Sequence, residues 1–434
     1  MARTVVACCA LFCMFQYVAW RPLLLGPSIL AVLAVVAVLA VTLRWRTAHD
    51  PMLATTALSV GVVAGLFLTL AKSEFLRSSP VVGGGLAMVL VAATAVSLAS
   101  TGRRATVGFA VLLTVLTAVA VGDFATIDIV VDVQHLLEGG VDAMLAGHSP
   151  YAITIPNMYD AQDAARFYPP GSIEDGRVMY GYSYLPAPLL LDAPAHLLGD
   201  VRWMHLLALV AAGGLGWRLA TDRIGRIASV FLVLNPLSTT VLTAYCVEPL
   251  MVCLLALVLW GLLRGSRWTA LALGLLFASK QYALSFVPSL WSVAGRAGWR
   301  TVWAAAATGA LLIGVFVATA PHAFVRSSIE WLLLQPARDD SISLVPGLAE
   351  LVGPVPDAVL MLSPVLGLAV SAAVAWRTHR GATAFALGVG LSLLVTILLA
   401  KQAFMNYYFL AGAALLLAVV TWPRDDPISA RTTS

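Results

Sequence analysis

Long apolar runs, each near the length of a bilayer crossing, alternate with short polar interruptions along almost the whole chain. A helix needs about 20 apolar residues to span the hydrocarbon core. Runs of that kind lie at 23–43, 52–71, 81–99, 106–122, 201–219, 246–263, 301–320, 354–376, 383–400 and 403–421, with weaker ones at 5–20, 226–242, 268–280 and 282–295. The first run follows Arg3 and lacks a small-residue cleavage site, so it reads as a helix and not a signal peptide. Pro186, Pro188, Asp192 and Pro194 interrupt the apolar stretch 184–199, which reads as re-entrant or interfacial. The pattern predicts an all-α polytopic transmembrane helical bundle of about 13 to 14 helices.

Composition agrees. Charged residues make up 11% of the chain and hydrophobic ones 60%, against about 25% charged in a soluble domain. A soluble or disordered chain is excluded, and a membrane barrel would show alternating strands instead of long runs. The net charge of +4 is small and scattered, so no nucleic-acid partner is expected. Cys8, Cys9, Cys13, Cys246 and Cys253 lie inside apolar runs and read as buried small residues.

Basic residues mark the cytoplasmic side. With the N-terminus inside, Arg3, Arg44, Arg46, Arg103, Arg104, Arg218, Arg223, Arg226, Arg264, Arg267, Arg296, Arg300, Arg377, Arg380, Arg424 and Arg431 face inward. A long loop, 123–183, then faces outward with 9 of the chain's 22 acids, and a second outward loop covers roughly 321–353. The chain divides into N-terminal membrane helices (1–122), an acidic extracytoplasmic loop with interfacial helix and Pro-rich segment (123–200), a C-terminal membrane region (201–422) and a cytoplasmic tail (423–434). A multi-pass plasma-membrane protein with its polar chemistry on the extracytoplasmic side is expected.

Within the long loop, Asp128, Asp132, His135, Glu138 and Asp142 are spaced 4, 3, 3 and 4 apart, with Val130, Val133, Leu137 and Val141 opposite. That period predicts an amphipathic interfacial helix over 126–147, kinked at Gly139-Gly140 and stopped at Gly147. The acids read either as its wet face or, for Asp128 and Asp132 close to hydrocarbon, as functional groups. Six of the 11 tyrosines follow: Tyr151, Tyr159, Tyr168, Tyr180, Tyr182 and Tyr184. Their rings suit both a membrane-interface belt and stacking on a sugar.

Four polar groups stand where apolar helices should continue: Glu248; Lys280-Gln281-Tyr282; Lys401-Gln402; and Asn406-Tyr407-Tyr408. Lys280 and Lys401 either snorkel to headgroups or form a cationic pocket for a lipid-linked phosphate. His135, His148 and His196 lack ligand spacing, so neither a metal nor any other cofactor is expected.

In order along the chain come Asp128 and Asp132, Leu145-Ala-Gly-His-Ser-Pro-Tyr151, Tyr184-Leu-Pro-Ala-Pro188, Asn235-Pro236, Glu248-Pro249 and Ala278-Ser-Lys-Gln-Tyr282. This series, over roughly 120–410, resembles the GT-C superfamily of membrane glycosyltransferases. It is most similar to bacterial polyprenyl-phosphate-mannose-dependent mannosyltransferases. The chain departs from many relatives in carrying Glu248 where they have Asp. The resemblance implies inverting sugar transfer from a polyprenyl-phosphate donor to a cell-envelope glycan or glycolipid acceptor. Asp128 or Asp132 would be the base and Lys280, with Lys401, would hold the phosphate. His135, His148, Tyr151, Tyr180, Tyr182, Tyr184, Glu248, Gln281, Tyr282, Gln402, Asn406 and Tyr407 would line the substrate site. A transporter or flippase of lipid-linked sugars is the alternative expectation.

Overall fold

The computed structural model of the chain describes residues 2–16, 25–43, 51–378 and 380–425. Arg44, Arg46, Arg431 and most of the 423–434 tail lie outside the described residues. The N-terminal part is built from α1 (Ala2–Phe15), α2 (Leu25–Thr42), α3 (Pro51–Lys72), α4 (Glu74–Ser78), α5 (Pro80–Ala99) and α6 (Gly102–Thr126). The outer loop carries α7 (Asp132–Leu145), α8 (Ala161–Phe167) and α9 (Ala187–His196). Then follow α10 (Arg202–Leu219), α11 (Arg223–Val233), α12 (Ser238–Thr243), α13 (Glu248–Arg264), α14 (Thr269–Phe277), α15 (Leu290–Ala297) and α16 (Trp299–Thr319). The last segments are α17 (Pro321–Val325), α18 (Trp331–Leu334), α19 (Val345–Val352), α20 (Asp357–Leu360), α21 (Leu362–Arg377), α22 (Ala382–Leu398) and α23 (Met405–Asp425). The fold is all-α in its bundle, and the chain is a multi-pass membrane protein.

Among the described residues six helices are long and apolar enough to cross a membrane, fewer than the apolar runs suggested: Pro51–Lys72, Pro80–Ala99, Gly102–Thr126, Trp299–Thr319, Asp357–Arg377 and Met405–Trp422. Several of the other runs are shorter or broken. The run 226–242 splits at Leu234-Asn235-Pro236 into α11 and α12. Pro236 has no N–H to give, and the Asn235 side chain replaces the lost bonds. It donates to the Leu232 carbonyl (2.7 Å) and Ser238 (2.8 Å), and accepts from the Leu237 N–H (2.9 Å). The run 268–295 breaks at Lys280 into α14, a 3₁₀ stretch Gln281–Ser289 and α15. The Pro-rich stretch forms only the ten-residue α9, about 15 Å long and too short to cross alone.

The best-sheathed helix is α23. Its span is 78% buried within the chain, whereas that of α16 is 22% buried, which sets α23 at the centre and α16 at the lipid-facing rim. Helices α1, α11, α13 and α22 pack around α23. Close approach depends on Gly65 of α3: a Cβ there would sit 1.7 Å from the Leu234 carbonyl oxygen at the α11–α12 break.

Residues 126–147 do not form one helix. Ile127–Val131 are extended, and α7 begins at Asp132. Asp128 and Val130 are therefore exposed, off the helix, and share no face with Asp132. Gly139-Gly140 introduces no break; Gly140 instead lets α7 pack on Leu189 and Tyr182, which a Cβ would approach to 2.9 and 3.3 Å. Gly147, at φ 76°, ends the helix region as expected. The buried face of α7 joins Tyr151, Tyr168, Tyr182, Phe324 and Trp331 in a second hydrophobic core at the end of the bundle. A three-stranded antiparallel ribbon, β1 (Ile155–Pro156), β2 (Ile173–Glu174) and β3 (Arg177–Val178), completes it in the order β1-β3-β2. Asp175 and Gly176 both take positive φ (47° and 73°) between β2 and β3, the geometry of a tight two-residue hairpin.

Candidate functional site

The chain breaks bring distant polar residues to one end of the bundle. Pro249 starts α13 and leaves Glu248 at its first position, while α14 ends before Lys280 and α23 begins at Met405. The Ala187 N–H donates to the Ala278 carbonyl at 2.9 Å, which ties the start of α9, and so Tyr184, to the break before Lys280. Four segments thereby meet.

At their meeting point Lys280 Nζ lies 2.7 Å from Glu248 Oε1. The same oxygen accepts from Asn406 Nδ2 (2.8 Å) and the Tyr282 hydroxyl (3.1 Å). Both charges are buried, Glu248 at 0% and Lys280 at 3% exposure. Burial of an ion pair is tolerated when further hydrogen bonds satisfy it, and these supply them on Oε1. Three tyrosine rings surround the ammonium: Tyr184 at 4.2 Å, Tyr407 at 5.4 Å and Tyr282 at 5.6 Å from Nζ to the centroid. A cation held over ring faces gains from their quadrupoles.

Asp132 stands at the first turn of α7, with its Oδ1 accepting from the Val133 N–H at 2.8 Å. Burial raises its pKa, while the Arg338 guanidinium works against the rise. Tyr159 and Tyr168, whose ring centroids are 5.6 Å apart, crowd the same carboxylate. Burial first, and the Asp132 charge second, push the Tyr159 phenol up to about 12 and Tyr168 further up. Arg338 is clamped between the Phe167 ring (4.0 Å) and the Phe404 ring (4.5 Å), and its backbone N–H donates to the Lys401 carbonyl at 3.1 Å. Its guanidinium pairs with Asp340 at 2.6 Å. Tyr407 feels both Arg338 and Lys280, so the two cations share one neighbourhood.

The remaining expected site residues separate into those near this neighbourhood and those away from it. Gln281 Nε2 bridges the Ser183 and Ser328 carbonyls, at 2.8 Å each, and fastens the two outer loops together. Tyr151 and Tyr182 are buried in the outer core, where the Tyr151 hydroxyl donates to the Tyr184 carbonyl at 3.1 Å. Tyr180 packs on Trp331 at 4.6 Å. Lys401 does not join Lys280: its Nζ donates to the Leu333 carbonyl at 2.7 Å and its charge faces Asp357. Gln402 donates to the Pro336 carbonyl at 2.9 Å. His148 is exposed and His135 part-exposed. Asp128 lies with Glu138, Asp200 and Arg202 around Tyr245. Among the described residues no three His, Cys, Asp or Glu side chains gather as a metal site.

Arg338 carried no signal in the sequence beyond being one of several loop charges. Its importance appears only when its loop folds over Phe167 and Phe404. Tyr159 and Tyr168 stood out only as members of the tyrosine-rich stretch.

The opposite end of the bundle is fixed by Arg3, which pairs with Asp222 through two contacts of 2.6 and 2.9 Å and donates to the Val419 carbonyl at 2.9 Å. Asn406 and Val419 lie on the same helix, α23, about 20 Å apart along its axis. The polar cluster therefore sits at the end away from Arg3. No family model matches this chain, and no curated protein or solved structure matches it either.

Proposed function

We propose that this chain is an integral membrane glycosyltransferase. It would move a hexose or pentose, mannose being the usual one in the family it resembles, from a polyprenyl-phosphate donor to a cell-envelope glycan or glycolipid. The observation that carries the reading is the placement of a shielded carboxylate, Asp132, facing a guanidinium, Arg338, beside an aromatic-walled cage at one end of the bundle.

In this reaction the acceptor hydroxyl gives its proton to Asp132 as its oxygen bonds to the anomeric carbon. The bond from that carbon to the donor phosphate oxygen breaks, and the phosphate leaves with one more negative charge. A base with a raised pKa holds the incoming proton better than an ordinary aspartate. Arg338 takes the phosphate, because its partner Asp340 is 44% exposed and can be exchanged for a ligand. Lys280 is already neutralised by Glu248 and holds the tyrosine wall against which the sugar rests. Asp128, exposed and off the helix, takes no part in the transfer.

The test is transfer of radiolabelled sugar from polyprenyl phosphate to candidate acceptors by the purified protein. Asp132→Asn lowers it by about 100-fold or more while the protein stays monodisperse. Full activity in that variant would remove the carboxylate mechanism.

A further inference from the structure

The end of the bundle opposite the proposed site carries a second built feature. Helices α15 and α16 meet at Gly298, whose φ of 83° permits the sharp reversal. The reversal brings Trp291 and Trp299 edge to face at 5.7 Å. Arg380, from the α21–α22 connection, lies across Gly295: a Cβ there would fall 2.0 Å from its Cδ. It ends with its guanidinium 5.0 Å over the Trp291 ring. Arg296 donates from Nε to the Leu262 carbonyl (3.4 Å), and Arg300 is the second residue of α16.

These five side chains are all exposed. No Asp or Glu occurs between 249 and 329 or between 358 and 424. Arg380 thus lies beside Arg296 across Gly295 without an acid from either segment, at a level where tryptophans mark the edge of the hydrocarbon. Tryptophan offers a face for the acyl region, and guanidinium offers a planar fork for a phosphodiester.

We propose that this junction is a binding site for an anionic phospholipid of the surrounding bilayer, with the phosphate between Arg296 and Arg380 and the glycerol and acyl chains along Trp291 and Trp299. It is independent of the proposed sugar transfer. Net positive charge at a membrane edge attracts acidic lipid diffusely; the seating of the Arg380 guanidinium over Trp291 across Gly295 makes this a located site.

The experiment is native mass spectrometry of the full chain in detergent, titrated with phosphatidylglycerol or phosphatidylcholine. Phosphatidylglycerol is retained preferentially, and Arg296→Ala/Arg380→Ala weakens its retention at least tenfold, at about one charge's worth of surface attraction per arginine. Arg103→Ala/Arg104→Ala, which removes two exposed arginines at the start of α6, leaves it unchanged. Arg380→Lys, which keeps the charge but loses the planar fork, retains less lipid than the wild type. Equal retention of the two lipids would overturn the proposal. So would equal loss in the Arg103/Arg104 variant, which marks a diffuse charge effect. Displacement of the lipid by millimolar inorganic phosphate would identify a soluble anion as the ligand and also overturn it.

Discussion

Replacing Lys280 with Met is the sharpest test of how the cluster is held. The change keeps the length of the stem and removes the charge. It leaves Glu248, fully buried, with Tyr282 and Asn406 as neutral donors and no cation. Its Oε2 has no protein partner. Removing one member of a buried ion pair costs about 3–5 kcal/mol, because the other charge stays behind. Loss of three cation–ring contacts adds about 0.5–2 kcal/mol, since their distances of 4.2 to 5.6 Å run from close to marginal. Replacing both residues, Lys280→Met with Glu248→Met, removes the uncompensated charge. The double variant therefore recovers most of the loss, since an apolar pair of similar volume is close to neutral. The assay is reversible unfolding in mixed micelles, followed by near-ultraviolet circular dichroism, for the wild type, both singles and the double. The expected coupling is about 3 kcal/mol or more. Additive losses, or a Lys280→Met variant as stable as the wild type, would show that the contact holds nothing together.

Asp128→Asn keeps transfer near the wild-type rate, whereas Asp132→Asn lowers kcat by about 100-fold or more, as loss of a general base does; radiolabel transfer measures both. Because burial raises the pKa of Asp132, the acid limb of the rate profile lies above the ordinary carboxylate range, and activity climbs as pH rises through it. Arg338→Gln withdraws the charge that favours the ionised form, so the limb moves to higher pH; a limb that moves down or stays put contradicts the placement. The same raised pKa means that the folded protein holds this proton more tightly than the unfolded chain. Asp132 therefore costs stability above its folded pKa, the cost fades as pH falls, and Asp132→Asn raises Tm at neutral pH. Gly65→Ala drives a methyl into the Leu234 carbonyl and destabilises the bundle by about 1–3 kcal/mol or more, seen as aggregation on size-exclusion chromatography.

The membrane environment and most of the long helices are legible in the amino-acid pattern. Apolar length sets where a helix can cross lipid, and that property is local; the runs at 52–71, 81–99, 106–122 and 301–320 became α3, α5, α6 and α16 with small shifts at the ends. Polar residues at the interruptions were also legible, since each stands out against hydrocarbon: Glu248, Lys280, Tyr282 and Asn406 stood apart in the sequence and meet in one cluster. The partners of those residues were not legible. Lys280 and Lys401 look alike in sequence, each followed by glutamine, yet one is caged by tyrosines and the other bonds a carbonyl of the second outer loop. Helical spacing placed Asp128 on the same face as Asp132, but the extended stretch before α7 separates them. Arg338 reaches Asp132 across more than 200 residues of chain, a juxtaposition set by packing of Phe167 and Phe404 around it. Partition of an apolar helix into lipid acts on each segment alone, whereas charge pairing depends on where several segments end relative to one another, which is settled by how the helices pack.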